Sequence, residues 1–197
     1  MLTVLTKVTL QARILREAYR LYATEGSEGF SLRRIARALR VTAPAIYRHY
    51  RSKAALLEAV ADRGFEAFEA SLARALDDVR GPRKRALCVL EAYLDFALAE
   101  PRLFEIMFLT ARPKLRRFPR DFKVGRSATF NRLWAEVKAG MGGSGAARQD
   151  PFEASLGLWA QAHGLIALER TGRFGRNRAA FKRIYRRSLG AAIQRIG

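Results

Sequence analysis

The chain has 197 residues, 49% of them apolar, and a formal charge of +19; this supports a real hydrophobic core and excludes a disordered chain. Its one cysteine, Cys88, excludes an intrachain disulfide or a cysteine metal site and, among apolar neighbours, reads as an inert core thiol. The longest uncharged apolar stretch, 154–168, contains Gln161 and His163 and is shorter than the roughly 20 residues of a membrane span, and "MLTVLTKV" at the start is too short for a signal peptide, so a soluble cytoplasmic protein with no membrane partner is expected.

The spacing of Ile14, Ala18, Leu21 and Tyr22 predicts a first helix capped by Thr9 and stopped by "EGSEG" at 25–29. Ser31 is placed to cap a second helix over 32–39, with Leu32, Ile35, Ala36 and Leu39 inward. After a break at Arg40 and Val41, a short third helix starts near Ala43; Pro44 sits in its first turn, where a missing N–H costs nothing. Ser52 caps a fourth helix carrying Leu56, Leu57, Val60, Phe65, Phe68 and Leu72, closed by "RGPR" at 80–83. Five more helices are expected near 83–99, 101–111, 119–140, 151–171 and 177–196. No segment alternates with period two, so the expected fold is all-α with about nine helices. "GMGGSG" at 140–145 satisfies GxGxxG, but a helical pattern precedes it where a dinucleotide site needs a strand, so it reads as an interhelical loop. "RPKLRRFPRDFK" at 112–123 reads as a basic solvated loop.

Three short helices, the third carrying polar and aromatic residues, form a helix-turn-helix. Ile35, Ala36, Val41 and Ile46 make its small core. Thr42, Ala43, Pro44, Ala45, Tyr47 and Arg48 are left outward, and their hydroxyls, methyl-contacting surface and guanidinium suit base edges in the major groove. His49, Tyr50 and Lys53, at the start of the next helix, are placed to hold phosphates. Arginine carries most of the positive charge, and its planar fork suits phosphate and guanine. Double-stranded DNA is therefore the expected partner, although an arginine-biased composition also accounts for part of the excess.

"FSLRRIARALRVTAPAIYRHYRSKAALLEAV" resembles the DNA-binding region of TetR-family transcriptional regulators, which reads T-x-x-x-I-A-x-x-x-G-V-S-x-x-x-L-Y-x-H-F-x-x-K-x-x-L. Ser31, Ile35, Ala36, Val41, Thr42, Ile46, Tyr47, His49, Tyr50, Lys53 and Leu56 fall in register. By this resemblance Arg33, Thr42, Ala43, Tyr47, His49 and Lys53 take the DNA-contacting positions. One departure is Arg40, where the family has the glycine of the turn. A left-handed backbone there costs a non-glycine residue about 1 kcal/mol. The turn is expected to survive, with Arg40 gaining a phosphate contact in exchange. The resemblance also implies residues 1–54 as a DNA-binding domain and 55–197 as an effector-binding and dimerisation domain, the boundary lying within the fourth helix.

In the second half, "LWAQAHGLIALERTG" holds W-x-x-x-H-G at Trp159, His163 and Gly164. With "AEPRLFEIMF" it resembles the C-terminal subclass named for a W-H-G motif. Phe96, Phe104, Met107, Phe108, Phe130, Trp134, Trp159 and His163 are the candidate lining of an apolar effector pocket. The eighth predicted helix carries two apolar stripes. Phe152, Leu156, Trp159, His163 and Ile166 are assigned inward. Leu158, Ala162, Leu165 and Glu169 are assigned to a homodimer interface with the ninth helix, where Gly157, Ala160 and Gly164 permit close approach. From 170 to 188 there are eight cations and no acid. These read as a solvated face or as a site for the acidic head of an anionic amphiphile. A fatty acyl-coenzyme A thioester fits that shape, and the family resemblance includes regulators that use one.

The expected function is a ligand-responsive repressor released from a pseudo-palindromic operator, with no catalytic, metal or cofactor residues. Two rivals remain. A sequence-independent DNA-compacting protein explains the charge but not the aromatic C-terminal half. A helical enzyme on acidic substrates would need an acid pair, a Ser-His-Asp set or a two-histidine spacing, and none is visible.

Overall fold

A computed structural model of the protein describes residues 9–112, 116–142 and 149–196. The opening "MLTVLTKV", residues 143–145 of the expected glycine-rich loop and residues 113–115 of the basic run lie outside the described residues. Among those described, the fold is all-helical. Ten α-helices are α1 (Leu10–Gly29), α2 (Leu32–Leu39), α3 (Ala43–Tyr47), α4 (Lys53–Leu76), α5 (Pro82–Ala99), α6 (Pro101–Phe104), α7 (Arg120–Lys123), α8 (Ala128–Gly140), α9 (Pro151–Arg170) and α10 (Arg178–Gln194). A π-helical turn over Glu105–Leu109 follows α6. No described helix is long and apolar enough to cross a membrane.

The chain divides into two compact units. The first holds the described residues of 1–67 and 100–114, and the second those of 68–99 and 115–197. Compactness thus places residues 55–67 and 100–112 with the helix-turn-helix, and the boundary in α4 falls after Ala67.

In the first unit, Thr9 Oγ1 caps α1 by accepting from Ala12 N at 3.2 Å, and Ile14, Ala18, Leu21 and Tyr22 are buried as the spacing predicts. The helix does not end at 25. Gly26 leaves helical geometry (φ 70, ψ −159), and the helix then resumes to Gly29. Only glycine adopts that φ readily, so "EGSEG" inserts a kink where the sequence suggested a stop. Ser31 occupies the N-cap of α2 without a side-chain bond, whereas Ser52 Oγ accepts from Ala55 N at 3.0 Å at the start of α4. Pro101 starts α6, as its fixed φ favours. The helix expected over 101–111 is α only to Phe104 and π-helical to Leu109.

The second unit packs α5 against α8 and α10, and α9 against α5, α8 and α10. Arg85 joins two ends of the bundle. Its Nε donates to Glu136 Oε1 at 2.8 Å, and its Nη1 to the Leu76 and Val79 carbonyls at 3.1 Å, which satisfies acceptors at the end of α4. The Tyr185 hydroxyl donates to the Leu90 carbonyl at 2.7 Å in the core. The single helix expected over 119–140 is two, α7 and α8. Gly125 turns the chain at φ 78, and the buried Asp121 accepts from Arg117 N at 2.7 Å and Arg126 Nη1 at 3.0 Å. The Arg117 N–H, then the Arg120 guanidinium, hold the Asp121 carboxyl below its usual range. Asp150 caps α9 through Phe152 N, and Asn177 caps α10 through Ala180 N. Cys88 is half-buried, its Sγ donating to the Ala75 carbonyl, and burial pushes the thiol up.

Candidate functional site

The turn between α2 and α3 sets the geometry of the first candidate surface. Arg40 sits in the left-handed region at φ 54, ψ 45, the one non-glycine with positive φ among the described residues. Its N–H donates to the Arg37 carbonyl at 3.1 Å, so the turn survives the loss of the family glycine with its left-handed shape kept. Ile35, Ala36 and Ile46 are buried and lock the two helices, and Val41 is half-buried beside them.

Tyr47 is 49% exposed at the end of α3, so it is not a core tyrosine. Thr42, Pro44, Arg48 and His49 are exposed, and Ala43 is half-buried. Two residues behave differently from the sequence reading. Ala45 points into the core, because a five-residue helix with Ile46 inward has little circumference left outside. Tyr50, expected on phosphates, is only 8% exposed, so it belongs to the packing of this unit.

Arg33, Arg37, Arg40, Arg48 and Arg51 are exposed and form no ion pair among the described residues. Arg34, by contrast, is held by Glu25, with Nη2 donating to Oε1 at 2.6 Å. Lys53 lies exposed over the Phe30 ring, 5.7 Å from its centre. Exposed cations thus flank the exposed Tyr47 along the chain, at positions 40, 48, 51 and 53.

The expected effector residues fall in both units. Phe104, Met107 and Phe108 lie in the first, Phe104 and Phe108 with ring centres 4.9 Å apart. In the second, Phe122, Phe130 and Phe152 form a buried cluster against Trp134 and Trp159, and Phe122 is the member missed by sequence reasoning. Phe96 packs on Phe68, 4.9 Å between centres. His163 shares a hydrogen bond of 2.8 Å with the Tyr93 hydroxyl, and burial holds its imidazole below the ordinary value.

The stripe assigned to a partner subunit is largely inside this chain. Leu158 is 2% and Ala162 0% exposed, Leu165 and Glu169 half-buried. A helix apolar on two sides has no polar face to fix its phase, so the spacing alone admits either side as the inner one. The exposed residues of α9 are Glu153, Gly157, Ala160, Gly164 and Leu168, and a side chain added at either glycine would meet open space. The basic runs are also partly committed. Lys182 bonds Asp95 at 2.7 Å and Arg186 Nη2 bonds Glu91 at 3.0 Å. Arg112 is buried against Glu58. That pair was not visible in sequence, although Glu58 shares an i, i+3, i+7 stripe with Ala61 and Phe65, which is the signal of a buried acid.

Comparison with known proteins bears on this geometry. The family model for bacterial regulatory proteins of the tetR family matches residues 14–60. That for the tetracyclin repressor-like C-terminal domain matches residues 85–192, more than half of the chain. The protein belongs to the TetR family. As a TetR-family protein it is a DNA-binding transcription regulator with a helix-turn-helix. It is similar to a protein of unknown function from Rhodococcus sp. RHA1, with 24% identity, a TM-score of 0.78 and 99% of both chains covered. A candidate transcriptional regulator from Saccharomonospora viridis, solved in complex with choline, is 22% identical with a TM-score of 0.70, covering 94% of this chain and 95% of that one. These likenesses concern the fold. The nucleoid occlusion factor SlmA of Photobacterium profundum is 32% identical over 90 residues, and the chain spans 46% of that relative's length.

Proposed function

We propose that this TetR-family regulator is a homodimeric repressor that a small effector releases from a pseudo-palindromic operator. Alpha3 carries the proposal: it holds Ala45 and Ile46 in the core while leaving Tyr47 exposed, with the exposed Arg40, Arg48 and Arg51 close to it in sequence. Each subunit places α3 in one half-site. Thr42, Ala43, Pro44, Tyr47 and Arg48 face base edges, and Arg33, Arg40, His49 and Lys53 hold phosphates. Tyr50 acts by bracing α3 from the core.

The dimer forms through the outward face of α9, Gly157, Ala160, Gly164 and Leu168, together with Ile184 of α10, which is also exposed. The effector is an apolar molecule or an anionic amphiphile such as an acyl-coenzyme A. Its apolar part enters the aromatic cluster at Phe130, Trp134 and Trp159, and the exposed Arg173, Arg176, Arg178, Arg183 and Arg187 offer charge to an acidic head. The choline complex of the Saccharomonospora protein supports a small ligand in this fold. A coupling of roughly 1–3 kcal/mol between effector and DNA lowers occupancy about 5- to 150-fold. Selection of bound sites from random DNA tests the proposal. An enriched pseudo-palindrome, whose complex an acyl-coenzyme A or a neutral apolar compound dissolves without turnover, is the expected result. Binding without enrichment of any sequence would favour a DNA-compacting role and overturn it.

A further inference from the structure

One basic segment of the second unit has no part in these roles. Between residues 116 and 126 stand five cations, Arg116, Arg117, Arg120, Lys123 and Arg126, all exposed, and one acid, Asp121, which is buried. The segment also carries exposed apolar bulk. Among the described residues of this unit, the exposed large hydrophobic side chains are Phe118 at 40%, Val124 at 65%, Leu168 and Ile184. The last two belong to the proposed dimer face, which leaves Phe118 and Val124.

Contacts bring these groups onto one short stretch of surface. The Phe118 ring stacks on Phe152 with centres 5.2 Å apart, and Lys123 Nζ lies 5.5 Å from the centre of the same Phe152 ring. Arg120 Nε and Arg126 Nη1 both donate to Asp121 Oδ1, at 3.3 and 3.0 Å, while their side chains stay 71% and 67% exposed. Asp121 thus gathers two arginines without adding an exposed negative charge. Its neighbour in α7, Phe122, has its ring centre 5.4 Å from that of Phe118, so the arginine pair and the aromatic edge adjoin. Val124 follows Lys123 at the end of α7.

A phosphate-rich partner satisfies the cations. Duplex DNA gives nothing to Val124 or Phe118, since contacts to its phosphates are polar. A peptide helix needs a groove, and α7 is a single turn that offers a tip. An anionic lipid surface takes both kinds of side chain. Its headgroups attract Lys and Arg, and apolar tips enter the headgroup boundary without any match of shape. The lack of a span, from which no membrane partner is expected, bears on crossing a bilayer and not on lying against one.

We propose that the chain around α7 is a docking surface for an anionic lipid bilayer. Val124 and the exposed edge of Phe118 enter the interface, and Arg117, Arg120, Lys123 and Arg126 meet headgroup phosphates. A guanidinium that gives one N–H to Asp121 keeps the others for phosphate.

Sedimentation of the full chain with lipid vesicles tests this. The chain should pellet with vesicles of phosphatidylglycerol and phosphatidylcholine in equal amounts, and stay in solution with phosphatidylcholine alone. Arg117→Gln with Lys123→Gln should weaken binding about 25-fold, roughly fivefold for each cation beside an anionic surface. Val124→Ser should weaken it about tenfold through lost apolar burial alone. Lys138→Gln with Arg195→Gln removes the same charge from exposed positions elsewhere in this unit and should change it little. All these positions are exposed, so circular dichroism and Tm of each variant should match the wild type. Losses with the first cation pair but none with Val124→Ser would mark a surface for phosphate alone, such as DNA, and would overturn the proposal. Equal losses from the two cation pairs, or no pelleting with the anionic vesicles, would overturn it as well.

Discussion

Alpha3 and α9 use their surfaces in opposite ways. Alpha3 has five residues, sinks two of them and leaves a large aromatic, Tyr47, half in solvent with exposed cations around it. Alpha9 has twenty residues, buries Phe152, Leu158, Ala162 and Ile166, and shows the outside mostly small side chains. The one presents reach and hydrogen-bonding capacity, which suits a groove lined with base edges. The other presents close approach, which suits another helix. Exposed chemistry and exposed smoothness point to different partners, and each can be removed without touching the other.

The largest expected effect breaks the buried side of α9. Phe130→Ala removes a ring that packs on Phe152 and Trp159, 5.4 and 6.1 Å between centres, and should cost about 3–5 kcal/mol in chemical denaturation. A loss below about 1 kcal/mol would mean that the cluster does not hold α9. Next, Gly164→Glu places a carboxylate on the outward face, where the single chain has room for it. A charge left unpaired in an interface costs about 2–5 kcal/mol, so folded monomers with weakened DNA binding are expected by sedimentation; an intact dimer would place the interface elsewhere. A smaller effect is expected at the α2–α3 turn. Arg40→Gly relieves the left-handed strain at the entropic cost of glycine, for a net gain of roughly 0.5–1 kcal/mol in thermal stability. No gain would show that Arg40 recovers its strain through contacts of its side chain.

The smallest effect is a pH limb. Burial depresses the His163 imidazole below 6.5, so the unfolded chain takes up the proton first as pH falls. Stability is then full above about pH 6.5 and declines below it, until the folded-state value is reached. His163→Gln should flatten that decline. Identical limbs in the variant and wild type would remove His163 from the pH dependence.

These two helices also show why one surface was legible in the sequence and the other was not. Alpha2 and α3 have one apolar side, with Ile35, Ala36 and Ile46, so the phase of each is determined and Tyr47 falls outside. Ala45 is buried where the spacing predicts it outward, because alanine carries no polar mark. Alpha9 is apolar on two sides, so periodicity finds the helix but not its inner face, and the stripe expected outward holds the buried Leu158 and Ala162. The break between α7 and α8 rests on Gly125 and on Asp121 gathering Arg117 and Arg126, contacts that helical spacing does not encode. Tyr50 matched its family position yet serves the core, since register gives a place in the chain and not a direction in space. Arg112 looked like one of a solvated basic run, and only the fold brings it to Glu58, 54 residues away in sequence.

The claim that α3 reads base edges is tested most directly at Tyr47. Its exposure means that Tyr47→Ala should leave thermal stability nearly unchanged. Binding of the purified protein to the selected operator and to a scrambled duplex of equal length should then differ. The expected loss is about 1–3 kcal/mol on the operator and little on the scrambled duplex. Equal losses on both would contradict base reading by α3 and leave Tyr47 as a contact to the backbone alone.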